Sequence, residues 1–322
     1  MRRAIAADFA AISAPPAVRV MVTLDARLPD DPGPWTVERA AAGEGIEHLR
    51  QLAASVDFTV LIAPETSGVL ARLSRELHTG GARLMGPSAA AVELAGDKAR
   101  MSAWLKNAGV DTPRTQTVVP AAGLPADFEY PAVLKPVDGA GSLNTFWVRN
   151  STDVPLEARS MPTAILQPFL PGAPMSASFL IGSDGEAHLI GIGAQRIAIR
   201  DGRFEYLGGT LPVSCEGSLD QIVPAVTSVA GLRGFVGVDF LWDLNRRHAT
   251  VLEINPRPTT SYVGLSRVLG PGVLARAWLD LYDTADHASP VHAGGLGERV
   301  SRQGPVSFDA SGAFVTDGEF AG

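Results

Sequence analysis

The amino-acid sequence predicts an α/β domain with a mostly parallel sheet, followed by an α+β region. The prediction rests on a contrast between the first 90 residues and the rest of the chain. The first 90 residues alternate apolar strand-like runs with helical patterns, whereas from about residue 118 short strands are separated by glycine and proline. Longer strands follow from residue 186. The two patterns indicate two differently built parts.

The N-terminal part contains three predicted strands and two predicted helices. The strands cover residues 18–24, 58–64 and 82–88, and the helices cover residues 37–56 and 67–79. The chain opens on the amphipathic segment "RRAIAADFAAI". A doubly wound domain usually opens on a strand, so we expect a first strand to be missing from this domain.

The rest of the chain begins with a predicted helix over residues 91–109, which Gly109 ends. The predicted strands that follow are "YPAVLKPV", "NTFWVRN", "AILQPFL", "EAHLIGIGAQRIAI", "GFVGVDFLWDL" and "HATVLEINP". Further helices are predicted at 222–232 and 271–283, and "VSFDASGAFVT" predicts a weak strand pair. We therefore expect an N-terminal domain at 1–92, a second domain at 93–285 with a lid at about 112–170, and a loop with a strand pair at 286–322.

Composition excludes several classes of partner. The net charge of −7 and a pI near 5.4 argue against nucleic acid or an anionic membrane held by bulk charge. A single cysteine, Cys215, excludes an internal disulfide and a cysteine-rich metal cluster. We expect a cytoplasmic protein that acts on small molecules, and the sequence leaves a homodimer open.

A glycine-rich loop follows the predicted strand that ends near Lys135. Gly139, Gly141 and Ser142 would let backbone amides wrap an anion, and Lys135 would supply a positive charge to the same phosphate. The loop is not a Walker motif, because no "GK[ST]" follows. Alone the signal is weak, since glycine-rich turns between strands are common.

Two acids and an amide lie on two neighbouring predicted strands. In a hairpin, Asp239 can face Glu253 or Asn255, and two acids would repel unless a cation lies between them. Hard oxygen ligands suit Mg²⁺, which also binds nucleotide phosphates. Arg257 would point at a phosphate or a carboxylate. For Asp239 alone, an ordinary solvent-facing residue is the better interpretation. Asp239, Glu253, Asn255 and Arg257, taken together with Lys135 and its glycine loop, favour a functional site instead.

The motifs together resemble the ATP-grasp superfamily. The resemblance covers about residues 90–283, and its motifs occur in the same order as in the family. The first 90 residues are similar to the α/β domain that precedes the ATP-grasp domain in that family. It rests on "GDK" at 96–98, "VLKPVDGAGS" at 133–142, "LQPFLPG" at 166–172, "GVDF" at 237–240 and "EINPRPTTSY" at 253–262.

The resemblance implies a nucleotide site that binds ATP. Lys98 and Lys135 would contact its phosphates, and the loop from Gly139 to Ser142 would close over them. The residues implied to line the adenine pocket are Gln167, Phe169 and Leu170.

The resemblance also implies a metal and transfer site. Asp239, Glu253 and Asn255 would hold one or two Mg²⁺ (or Mn²⁺) ions, with Glu253 bridging. Arg257 would stabilise the transferred phosphoryl group or the acyl phosphate, and Arg196 would assist.

The reaction implied is ATP-dependent ligation, in which a carboxylate becomes an acyl phosphate and an amine attacks it. The string "INPRPTTSYVG" is most similar to a branch related to tyramine–glutamate ligases, which implies glutamate as acyl donor and an aromatic amine as acceptor. Pro168 and Met175 stand where many members carry acids for the ribose hydroxyls. They motivate the alternative of a catalytically weak ATP-binding regulatory module. A dinucleotide-dependent oxidoreductase ranks last, because no "GxGxxG" follows a first strand.

Overall fold

The computed structural model describes residues 1–13, 17–41, 43, 45–139, 141–215, 221–282 and 293–315. The helices are α1 (Arg2–Ala10), α2 (Gly45–Ala54), α3 (Val69–Thr79), α4 (Ala89–Gly96), α5 (Lys98–Asn107), α6 (Val223–Thr227), α7 (Ser261–Leu269), α8 (Val273–Asp280) and α9 (Ala293–Ser301). The first strands are β1 (Met21–Asp25), β2 (Thr36–Ala40), β3 (Gln116–Val118), β4 (Ala132–Pro136), β5 (Phe146–Val148) and β6 (Ala164–Pro168). The later strands are β7 (Ala173–Ile181), β8 (Ala187–Arg200), β9 (Arg203–Leu211), β10 (Gly234–Asp243), β11 (His248–Asn255), β12 (Val306–Asp309) and β13 (Phe314–Val315).

The N-terminal part has parallel pairing, as its alternating pattern predicts. β1 and β2 run parallel, and Thr59 and Leu84 form one parallel bridge between two of the segments predicted as strands. The helix predicted over 37–56 is wrong at residues 37–40, which belong to β2. Gly43 has a φ of 97°, outside the right-handed helical region, so α2 begins only at Gly45.

The opening segment is helix α1, which packs against α7 and α8 in the C-terminal half of the chain. Asp8 is buried and accepts hydrogen bonds from Tyr262 Oη at 2.9 Å and from the Gly272 amide at 2.7 Å. Burial raises the pKa of the Asp8 carboxyl, although these hydrogen bonds oppose the shift. Phe9 packs on Trp278, with ring centroids 5.8 Å apart. The first residues therefore belong to the core of the second half.

The helix predicted over 91–109 is two helices, α4 and α5, that meet at Asp97. This residue has extended backbone angles, and its Oδ1 accepts hydrogen bonds from the amides of Ala99 and Arg100, both at 3.0 Å. It is the N-cap of α5, which satisfies amides that lack a partner within the helix. The break places Lys98 at the first position of α5.

Strands β3 to β13 form one antiparallel sheet of 11 strands within the described residues. Its order is β11-β10-β7-β8-β9-β5-β4-β6-β3, with β12 on β9 and β13 on β12. A separate apolar core beside β3 to β6 includes Phe128, Leu134 and Phe146. On β10, Val238 and Phe240 point to a core shared with α4 to α6, whereas Phe235 points to a core shared with α1, α7 and α8.

Part of the C-terminal segment is helical where its composition predicts a loop. A loop was predicted from residue 286, but residues 293–301 form α9, which packs against β8. Ala293, Leu296 and Val300 are buried at helical spacing, a pattern that the neighbouring glycines obscure. The expected strand pair is present as β12 and β13. His287 and His292, two of the histidines, lie outside the described residues.

Within the described part of the chain, each helix is too short or too polar to cross a membrane.

Candidate active site

Asp239, Glu253 and Asn255 meet on the antiparallel pair β10–β11. Asp239 faces Glu253 across the pair, and Gly237 faces Asn255. The amide Nδ2 of Asn255 donates a hydrogen bond to Asp239 Oδ2 at 3.0 Å. The structure therefore brings together the three side chains that sequence analysis assigned to a metal.

A β-bulge directs Glu253 toward this cluster. The pairing steps from Asp239–Glu253 to Phe240–Val251, so β11 carries one extra residue, Leu252. Val251 belongs to the buried core, and strict alternation would send Glu253 in the same direction. The extra residue reverses the alternation and places Glu253 beside Asp239. Bulges often aim side chains in this way next to active sites.

Asp239 is half-buried, and its carboxylate has a polar partner on a third strand. Gln195 Nε2, from β8, donates to Asp239 Oδ1 at 2.9 Å. Burial, followed by the negative charge of Glu253, raises the pKa of Asp239 to about 7. Sequence analysis missed Gln195, whose signal was a polar side chain within the apolar run "GIGAQRIAI". Both oxygens of Asp239 thus already have a neutral donor, which orients the carboxylate.

The pKa of Glu253 is lowered, opposite to that of Asp239, because positive charges lie around Glu253. Lys98 Nζ lies 3.3 Å from Glu253 Oε2, and both side chains are mostly buried. Burial alone would raise the pKa of Glu253, but the charges of Lys98, Lys135 and Arg257 outweigh it and lower the pKa. Glu253 is therefore the more acidic member of the acid pair.

The glycine loop packs directly onto the start of α5. The Lys98 amide donates to Val137 O at 2.9 Å, and Lys98 Nζ donates to Gly139 O at 2.7 Å. Gly139 and Gly141 have φ values of 126° and 70°, conformations that favour glycine. Lys135 lies on β4 and is buried, which lowers the pKa of its ammonium group. Two lysines and the start of the glycine loop therefore lie beside the acid pair.

Ser142, later in this loop, also has a left-handed backbone conformation, with a φ of 60°. It is only partly exposed, and Ala140 lies outside the described residues. Gly139, Gly141 and Ser142 thus lie between β4 and β5.

The donor set fits a hard divalent cation. No group of three or more His, Cys, Asp or Glu that could hold a metal occurs among the described residues. The cluster instead offers two carboxylates and the Oδ1 of Asn255, whose Nδ2 is bound to Asp239. Oxygen-only ligands, two of them carboxylates, suit Mg²⁺, which completes its shell with water and phosphate oxygens.

The three residues assigned to an adenine pocket lie at the end of β6. Gln167 is buried, and its Nε2 donates to Thr115 Oγ1 at 2.8 Å, so its amide braces the neighbouring segment. Phe169 is 41% exposed and packs edge-on against Trp147, with centroids 6.3 Å apart. Leu170 is half-buried. Phe169 therefore presents an apolar ring to solvent, as a base-stacking residue would.

The two arginines assigned to transfer have different surroundings. Arg257 Nε lies 2.8 Å from Oε1 of the buried Glu65, which comes from the N-terminal part. Arg196 Nη2 donates to the carbonyl oxygens of Leu207 at 3.3 Å and Phe308 at 3.0 Å, and so fastens β12 to the sheet. The sequence motifs do not single out Glu65, whose signal is an acid directly after the apolar run 58–64, in "APE".

The whole chain was compared with known families. Residues 95–261 match the ATP-grasp domain, and residues 18–92 match the pre ATP-grasp 3 domain. The chain belongs to the ATP-grasp family. Its N-terminal parallel unit and its antiparallel sheet confirm the predicted fold class.

Two tyramine–L-glutamate ligases are similar to about two thirds of this chain. Tyramine–L-glutamate ligases from Methanocaldococcus jannaschii and Methanocaldococcus fervens are each 26% identical, over 66% and 65% of this chain. This ATP-grasp chain spans 59% and 62% of the length of those two relatives.

Solved structures share the fold. An ATP-grasp superfamily protein from Archaeoglobus fulgidus has a TM-score of 0.59 at 22% identity, over 85% of this chain and 75% of that chain. An L-amino acid ligase from Bacillus licheniformis has a TM-score of 0.59 at 17% identity, over 89% and 68%. Biotin carboxylase from Campylobacter jejuni has a TM-score of 0.66 at 16% identity, over 84% and 65%. At these identities the likeness concerns the fold alone.

Proposed function

We propose that this ATP-grasp protein is an ATP-dependent carbon–nitrogen ligase, which converts a carboxylate into an acyl phosphate and joins it to an amine, with release of ADP and phosphate. One observation carries the proposal: Asp239 and Glu253 face each other across β10–β11, while Lys98 and Lys135 lie against them. Opposed acids beside buried lysines suit a metal-bound triphosphate, because each charge then has a counter-charge.

In this proposal the chain positions and neutralises, and supplies no covalent nucleophile. Mg²⁺ held by Asp239, Glu253 and Asn255 would offset charge on the phosphates. Lys98 and Lys135 would bind phosphate oxygens, and the glycine loop would donate amide hydrogen bonds and exclude water that would hydrolyse an acyl phosphate. Phosphoryl transfer needs little more from a protein than such placement.

We propose glutamate as the acyl donor and an aromatic amine as the acceptor. The named relatives are tyramine–L-glutamate ligases, and one fold neighbour is an L-amino acid ligase. Thr260 and Ser261, beside the Arg257 segment, offer hydroxyl groups at the start of α7. Thr260 Oγ1 lies 2.8 Å from Tyr206 Oη, and its side chain makes no capping hydrogen bond to α7. A polar substrate would therefore replace Tyr206 as the partner of Thr260 without loss of a helix cap, whereas Ser261 is buried with its Oγ 3.3 Å from Ser176 Oγ.

The test is release of ADP and phosphate from ATP in the presence of pools of carboxylic acids and amines. The proposal expects release that needs one acid and one amine, with L-glutamate and tyramine tried first. Lys135→Ala should abolish release, whereas Lys106→Ala, which removes an exposed lysine at the end of α5, should not. ATP binding without acid-dependent release would support the weak regulatory module and reject the ligase.

A further inference from the structure

Glu65 is an acid of the N-terminal part that lies against the site of the second part. It follows the apolar run 58–64 and begins a short 3-10 turn at Thr66–Gly68. Only 6% of the residue is exposed, although it is a glutamate outside any sheet. Charged side chains are rarely buried without a partner, so its surroundings are informative.

The turn after Glu65 also contacts the glycine loop. The amide of Ser67 donates to Asp138 Oδ2 at 2.7 Å, immediately before Gly139. Glu65 and Ser67 therefore bring the N-terminal part to both sides of the candidate site, to Arg257 and to the loop. This placement points to a role at the site beyond joining the two parts.

The contact between Glu65 and Arg257 leaves one group unsatisfied on each side. Arg257 Nε and Glu65 Oε1 lie 2.8 Å apart, but the N–H does not point along that line, so the contact is an ion pair without a hydrogen bond. Among the described residues, Arg257 Nε and Glu65 Oε2 are buried atoms with no hydrogen-bond partner. A buried carboxylate oxygen and a buried guanidinium N–H thus lie side by side, one needing a donor and the other an acceptor.

We infer that Glu65 and Arg257 form a subsite for an amino acid, with Glu65 Oε2 accepting a hydrogen bond from the ammonium group and Arg257 binding the anionic group. This inference rests on the proposed function, because it names the class of acid that the ligase would take. An ammonium group satisfies the acceptor and adds charge attraction in a place where water is scarce. A plain carboxylic acid satisfies only Arg257.

A structural ion pair is the competing interpretation of Glu65. If Glu65 only holds Arg257 in place, its substitution weakens the binding of an amino acid and of the analogue without the amino group by the same factor. If Glu65 binds the ammonium group, its substitution removes the preference for the amino acid over that analogue. The ratio of the two affinities therefore separates the interpretations, whatever happens to overall affinity or stability.

The experiment is isothermal titration of the full chain with Mg²⁺ and a non-hydrolysable ATP analogue present. The matched ligands are L-glutamate and glutarate, L-alanine and propionate, and L-phenylalanine and 3-phenylpropionate. For at least one pair the wild type should bind the amino acid about tenfold to a hundredfold more tightly, the worth of a charged hydrogen bond. Glu65→Gln should reduce that ratio to about one.

The control is Glu93→Gln, which removes an exposed glutamate paired with Arg75 and should leave the ratio unchanged. If Glu65→Gln does not fold, Glu65→Asp keeps the charge but shortens its reach, and should lower the ratio. Equal binding within every pair, no binding by any pair, or a ratio that survives Glu65→Gln or Glu65→Asp would overturn the inference. A binding preference without turnover would reject the ligase proposal and still support the subsite.

Discussion

Replacement of Glu253 by glutamine removes one charge from the centre of the candidate site. Lys98 Nζ lies 3.3 Å from Glu253 Oε2, which corresponds to an attraction of about 5 kcal/mol at an effective dielectric constant of about 20. Desolvation offsets much of this, and glutamine still accepts a hydrogen bond. We therefore expect the free energy of unfolding without ligand to fall by only about 1–3 kcal/mol.

The larger effect is expected on the metal–nucleotide complex. Loss of a carboxylate ligand should weaken Mg–ATP binding at least about tenfold. At a ligand concentration of about 100 Kd, the wild type gains about 2.7 kcal/mol, and a tenfold weaker variant gains about 1.4 kcal/mol at the same concentration. The Tm shift on addition of Mg–ATP should therefore be smaller by roughly 2–5 °C in Glu253→Gln.

Thermal unfolding with and without Mg–ATP measures this difference. Glu205→Gln is the control, because Glu205 forms an exposed pair with Arg200 at 3.1 Å in the same sheet. It should leave the ligand-induced shift unchanged. An equal shift in wild type and Glu253→Gln would refute the assignment of Glu253 as a metal ligand, and with it the reasoning from the β-bulge.

Three further outcomes are expected. Gly295→Ala should raise the free energy of unfolding by about 0.5–1 kcal/mol in urea titrations, because alanine favours the helix and the added Cβ meets open space. Gly297→Ala on the same helix should lower the free energy of unfolding, because its Cβ would lie 2.5 Å from Leu189 O. Burial raises the pKa of Asp8 above its unfolded value of 3.8, so the folded chain favours the protonated carboxyl. The resulting contribution to stability is complete below pH 3.8 and is lost as the pH rises through the folded pKa. Wild type should therefore lose stability relative to Asp8→Asn over that window, and parallel curves would contradict this. Burial raises the pKa of the Cys215 thiol, so iodoacetamide at about pH 7.5 should alkylate the native chain more slowly than the urea-unfolded chain.

Local patterns were sufficient for much of the fold and part of the site. The glycines after Lys135 and the acids of the β10–β11 hairpin are local signals, because strand alternation and turn chemistry act over a few residues. The break at Asp97 was also local, but its capping signal was outweighed by the helical spacing on both sides. Helix α9 was missed because its glycines hide a short apolar pattern, which only packing on β8 makes stable.

The sequence by itself determined the two-part architecture, the family and the chemical types present at the site. Only the tertiary structure decided which of these groups meet. The bulge at Leu252 turns Glu253 toward Asp239, Gln195 arrives from β8, and Glu65 arrives from the N-terminal part to pair with Arg257. The physical reason is that periodicity reports which face a side chain takes within its own element, whereas burial and pairing between distant segments depend on how whole elements pack.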